Sequence, residues 1–89
     1  PVADAPAVSP STGYYERQMQ ITIQVPSGYT AYYTISSADG EIETPTAAST
    51  KYTGPIDMPE GNHIFCAVLV DGKGRLSEIK KMNYELILQ

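Results

Sequence analysis

The sequence predicts an all-β fold, an antiparallel sandwich of about seven short strands. Three observations carry that prediction. Short segments alternate apolar and polar residues, or concentrate aromatic and β-branched ones. Gly, Pro, Asn and Asp punctuate the chain between those segments. No long stretch shows the 3.6-residue period of an amphipathic helix. The 89 residues are 42% hydrophobic and 18% charged, which suits one domain with one core and excludes intrinsic disorder. A domain of this size buries roughly 60–65% of the surface its unfolded chain exposes, leaving little room for an enclosed active site.

The first element is Pro6 to Pro10. Proline cannot donate to an interior ladder, so this segment is predicted as an edge strand, protected against further pairing. Met19 to Val25 alternates strictly and reads as a half-buried strand. Pro26-Ser27-Gly28 closes it. Thr30 to Ile35, rich in aromatic and β-branched residues, is the next strand. The polar stretch Ser36 to Thr50 reads mostly as loop. Lys51-Tyr52-Thr53 and Ile56-Asp57-Met58 are short strands, separated by Gly54-Pro55 and ended by Pro59-Glu60-Gly61-Asn62. His63 to Val70 is apolar on both faces and is predicted to be central. Asp71-Gly72-Lys73-Gly74 is a tight turn. Leu76 to Leu88 forms the last strand, with an interruption expected near Lys80-Lys81. This order suits an immunoglobulin-like sandwich without the antibody-type Cys…Trp…Cys core, because there is one Cys and no Trp.

Composition excludes several function classes. Six Lys+Arg against ten Asp+Glu give a net charge of −4, which cannot build the basic face of a nucleic-acid module. It disfavours adhesion to anionic lipid as well. The longest apolar run, Ile64 to Val70, is far short of the ~20 residues of a membrane span. A single cysteine, Cys66, allows no internal disulfide. The chain opens at Pro1 with no signal peptide and reads as a domain cut from a longer protein.

Six blocks, in order and spacing, resemble the fibronectin-III-associated domain, also described as the chitobiase and β-hexosaminidase C-terminal type. They are Ser9-Pro10-Ser11-Thr12-Gly13-Tyr14-Tyr15; Ile21-Thr22-Ile23; Tyr32-Tyr33-Thr34 with Asp39-Gly40; Thr44-Pro45-Thr46; Lys51-Tyr52-Thr53-Gly54-Pro55-Ile56; and Val70-Asp71-Gly72-Lys73-Gly74 leading to Leu76-Ser77-Glu78. The likeness covers nearly the whole chain. The chain departs from the family pattern at Gln18, usually Pro, at Cys66, often Lys, and in the longer link Ser36-Ser37-Ala38. The resemblance implies an immunoglobulin-like sandwich appended to larger extracellular bacterial proteins, and not their catalytic part.

A Greek-key arrangement would gather the loops 9–18, 36–49 and 57–62 at one pole and 26–29 and 71–75 at the other. The first pole would hold Glu16, Asp39, Glu41, Glu43, Asp57 and Glu60, and the chain ends would leave from opposite poles. Nucleophilic catalysis needs Ser or Cys beside a base. His63 reads as a solvated histidine at a strand start, and Cys66 as an inert small hydrophobe. One His and one Cys cannot hold zinc; Asp39 to Glu43, with Glu60 from a neighbouring loop, could offer calcium some oxygens but lacks the spacing of calcium loops and reads first as a solvated acidic loop. Catalytic residues, metal ligands and cofactors are therefore predicted as none. Sugar rings stack on exposed aromatic faces. Of seven tyrosines, Tyr33, Tyr52 and Tyr84 read as packing, Tyr14, Tyr15, Tyr29 and Tyr32 as better candidates for exposure, and Tyr14, Tyr15 and Tyr29 as the candidate carbohydrate-binding set.

The reading is thus a non-catalytic, extracellular or cell-surface module that spaces or supports neighbouring domains. The alternatives are weak carbohydrate binding and protein–protein docking. The implied partners are neighbouring domains of the parent chain and, in the alternative, polysaccharide. Nucleic acid and membrane insertion are excluded, and a monomer is expected.

Overall fold

The computed structural model describes residues 3–89. The described residues form strands and no helix. In chain order the strands are β1 Val8–Ser9, β2 Gly13–Tyr15, β3 Gln20–Ile23, β4 Tyr29–Ser37, β5 Thr50–Lys51, β6 Ile56–Asp57, β7 Gly61–Asp71 and β8 Lys80–Leu86. One sheet has the order β1-β3-β6 and the other β2-β8-β7-β4-β5. The sandwich predicted from the alternation is present, and β7 takes the centre of the larger sheet as its unbroken apolar run required. Residues Ile64 to Val70 are all buried.

The inner faces follow the two-residue period. Ile21 and Ile23 enter from β3, Ala31 from β4, Phe65, Ala67 and Leu69 from β7, and Met82, Tyr84 and Leu86 from β8. Met58 joins them from the segment after β6. Gln18, at the position where the resemblance expects proline, ties this segment down. Its amide donates to the Met58 carbonyl at 3.0 Å, beside the Met58 N–H to Met19 carbonyl bond of 2.9 Å.

Two expectations are corrected and a third is located. First, the chain crosses between sheets within residues 9–18, expected as a loop at one pole, and β2 pairs parallel with β8 through Gly13–Tyr84, Tyr14–Glu85 and Tyr15–Leu86. The sandwich is therefore antiparallel except for this edge. Residues 10–12 run along the flank of the sandwich, since the Tyr84 hydroxyl donates to the Pro10 carbonyl at 2.6 Å and the Asn83 N–H to the Thr12 hydroxyl at 3.0 Å. Of the segment 9–18 only the part after Tyr15 reaches the predicted pole.

Second, β4 runs on through Ser36 and Ser37, which sequence reasoning left in the loop. Both Thr34 and Ser36 lie on its outer face and are buried. The Thr34 hydroxyl donates to the Glu43 carbonyl at 2.7 Å, and the Glu43 N–H donates to Ser36 Oγ at 3.0 Å. The acidic loop is thereby strapped back along the sheet.

Third, the interruption expected near Lys80-Lys81 is present, and the last strand pairs continuously only from Lys80. Val70 opposes Leu76 in an isolated bridge, while Ala67 opposes Lys80, so this side of the ladder carries one extra residue, a bulge. Ser77 closes the gap. Its N–H donates to the Leu69 carbonyl, and its Oγ accepts the Leu69 N–H, each at 2.9 Å.

Candidate functional site

The tyrosines divide by which face of the larger sheet they take. An aromatic row crosses the inner face from strand to strand. Tyr33 on β4 stacks on Phe65 of β7 at 5.4 Å between centroids. Phe65 meets Tyr84 of β8 at 6.2 Å, and Tyr84 meets the edge of Tyr15 on β2 at 6.5 Å. Such contacts are favourable beyond the area they bury. Burial, with Tyr15 nearby as a smaller cause, pushes the Tyr84 phenol up to about 12. The Tyr15 hydroxyl donates to the Ser11 carbonyl at 2.5 Å. One ring of the candidate trio, Tyr15, is thus engaged in packing, and so is the strap that precedes it.

Tyr14 alternates to the outer face of β2 and is 53% exposed. Its hydroxyl bonds nothing among the described residues. Beside it lies an open depression of about 920 Å³, lined by Tyr14, Tyr15, Glu16, Arg17, Met19 and Gln89. Neither Glu16 nor Arg17 forms an ion pair among the described residues, where Arg75–Asp71 is the salt bridge present. An exposed aromatic ring and two unspent hydrogen-bonding side chains therefore border one surface hollow.

Tyr29 does not join them. It opposes Asp71 at the far end of β7, whereas Tyr14 stands level with Asn62 through Glu85. The span of β7 between those levels is about 30 Å at ~3.3 Å per residue. Tyr29 is also partly buried against the core. The structure brings Tyr14 and Tyr15 together at the hollow and leaves Tyr29 apart from them. Sequence reasoning singled out neither Arg17, Met19 nor Gln89. Arg17 was open to view two residues after Tyr15, but Gln89 arrives only because the end of β8 lies beside β2, where its N–H donates to the Glu16 carbonyl at 3.3 Å.

The titratable residues weighed for catalysis stand apart. His63, expected solvated at a strand start, is the third residue of β7 and is partly buried. Its Nδ1 is shielded from solvent without a hydrogen-bond partner among the described residues. Cys66 lies on the opposite face of the same strand, buried, with burial pushing its thiol up against the smaller opposing effects of Lys81 and Thr34. The acidic residues are dispersed. Asp39 accepts from the Ser37 hydroxyl at 2.6 Å, Asp57 from the Gln20 amide at 3.2 Å, and Glu60 from the Leu88 N–H at 3.3 Å. No three His, Cys, Asp or Glu among the described residues converge on a common point.

A family model, the chitobiase/beta-hexosaminidase C-terminal domain, matches residues 10–81, from the flank strap into β8. This bears out the resemblance drawn from the six sequence blocks. No curated protein and no solved structure matches the chain.

Proposed function

Because the chain belongs to the chitobiase/beta-hexosaminidase C-terminal domain family, we propose that it is a non-catalytic accessory module of a carbohydrate-active enzyme or surface protein, working outside the cell as a spacer. The observation that carries the spacer role is the placement of Ala3 and Gln89, the first and last described residues. The Ala3 carbonyl accepts from the Glu78 N–H just before β8, and Gln89 lies beyond the other end of that strand. A polypeptide running through the domain enters at one pole and leaves at the other. The molecule is long enough for this to matter, 44 × 25 × 18 Å along its principal axes. The absence of catalysis is supported by the separation of His63 and Cys66 onto opposite faces of β7, which keeps a base from a nucleophile.

Two copies joined end to end test the reading by small-angle X-ray scattering. An axial spacer gives a maximum dimension approaching twice the 44 Å long axis. A folded-back pair with a compact profile rejects the spacer role. Incubation of the same protein with aryl β-N-acetylglucosaminides is expected to release no phenol, and release that follows the domain through purification rejects the non-catalytic reading.

A further inference from the structure

We propose that the hollow at Tyr14 is a binding subsite for a neutral pyranose chain with equatorial hydroxyls. The inference does not rest on the spacer reading, which stands whether or not the hollow binds anything.

The chemistry follows from what borders the hollow. Tyr14 is the exposed ring of β2, and its neighbour Tyr15 is fixed below by Tyr84 and the Ser11 carbonyl. The backbone under the exposed ring is therefore held from the inner face, and along its edge by the ladder to β8. A pyranose with equatorial hydroxyls presents an apolar C–H face, which stacks on an aromatic ring as other apolar faces do. Its rim carries hydroxyls that both donate and accept. Glu16 supplies acceptors and Arg17 supplies a fork of donors, and neither is engaged in an ion pair within the protein.

Charge decides the class of ligand. The side chains of Glu16 and Arg17 cancel, so the hollow favours neither anion nor cation. Its openness decides the form. A shallow site at a sheet edge grips one ring of an extended polymer and lets the rest of the chain pass over, whereas a small cofactor needs enclosure. Glucose and N-acetylglucosamine chains share this chemistry.

The test is a titration of the isotope-labelled domain followed by amide NMR shifts, with cellohexaose, chitohexaose and a galacturonate oligomer in separate arms. Shifts confined to residues 14–19 and 89 are expected with one or both neutral oligomers, and which of them binds identifies the source. Tyr14→Ala is expected to weaken binding about tenfold, while Tyr14→Phe keeps it within about threefold because the ring remains. Arg17→Ala weakens it without moving the site. Because Tyr14 is exposed, these variants are expected to keep the dispersed spectrum of the folded domain, which the same experiment reports. The proposal fails if neither neutral oligomer shifts residues 14–19, if only the acidic oligomer does so, or if Tyr14→Ala binds as tightly as the original.

Discussion

At position 77 a serine hydroxyl replaces a missing rung of the larger sheet. The Leu69 N–H is buried and has Ser77 Oγ as its acceptor, and Ser77 is itself 5% exposed. Ser77→Ala leaves that N–H without a partner and is expected to cost about 1–3 kcal/mol in chemical denaturation. A cost under a few tenths would show that the bulge is satisfied in another way. Tyr84 supplies the second prediction at this scale. Its phenol ordinarily titrates near 10 and is held up at about 12 in the folded state. The neutral form is the one the fold prefers, so the stabilisation is complete below pH 10 and is lost as the pH rises towards 12. Tyr84→Phe is expected to flatten the alkaline limb of stability against pH while costing about 1 kcal/mol at neutral pH through the lost bond to Pro10. An unchanged alkaline limb would reject the assignment to Tyr84.

Residues such as these were legible in part. Ser77, Tyr15 and the Ser9–Tyr15 block stand within the sequence blocks that carry the family resemblance, and the structure supplies the physical reasons. They close a bulge, extend an aromatic row and strap two sheets together. The same residues look like unremarkable loop and turn residues in sequence, because hydroxyl partners many positions away leave no local signal. His63 is the clearest misreading. The turn before it suggested solvent, but β7 begins two residues earlier, at Gly61, and carries the side chain to the inner face.

Two elements hold the ends of β4 and β7. The loop between β4 and β5 is strapped by Thr34 and Ser36 to Glu43. A Thr34→Val/Ser36→Ala double variant is expected to speed hydrogen exchange of amides in the 38–49 loop several-fold, while the amides of β7 keep their protection. Uniform loss of protection would mean that the strap supports the whole sheet. At the other pole the 71–75 turn is organised by one carboxylate. Asp71 Oδ1 accepts the Lys73 and Arg75 N–H groups, each at 2.9 Å, and Oδ2 accepts Arg75 Nε at 2.8 Å. The backbone bond from Arg75 is the leading reason that its carboxyl is held below the usual range, with the Lys73 amide and the Arg75 guanidinium adding to it. The folded-state value is lowered, so the turn's stabilisation is present above the unfolded carboxylate range near ~4 and is lost as pH falls through the lowered value. Asp71→Asn is expected to remove this part of the acid dependence, read as a smaller loss of stability below about pH 4. Gly74 completes the turn at φ +80° with nothing within 4 Å of an added Cβ, so Gly74→Ala is strained by conformation alone, by about 1 kcal/mol.

The whole molecule manages its edges by keeping them short. β1 and β6 border the small sheet, and β2 and β5 the large one. Each of these strands is two or three residues long. An exposed edge templates pairing with another chain in proportion to its free length, so these offer little. The protein is expected to sediment as a single monomeric species at millimolar concentration. A concentration-dependent dimer would show that some other face, not an edge ladder, is open to pairing. The fold class, the central place of β7 and the 71–75 turn were determined by the sequence alone, since alternation, apolar runs and turn residues act within a few positions. The tertiary structure decided the rest: the parallel seat of β2, the packing of Tyr15 against the core, the separation of Tyr29 from Tyr14, and the arrival of Gln89 beside Glu16. Each depends on which strands become neighbours. That choice is made by the burial of faces contributed from distant parts of the chain, and no short window of sequence contains it.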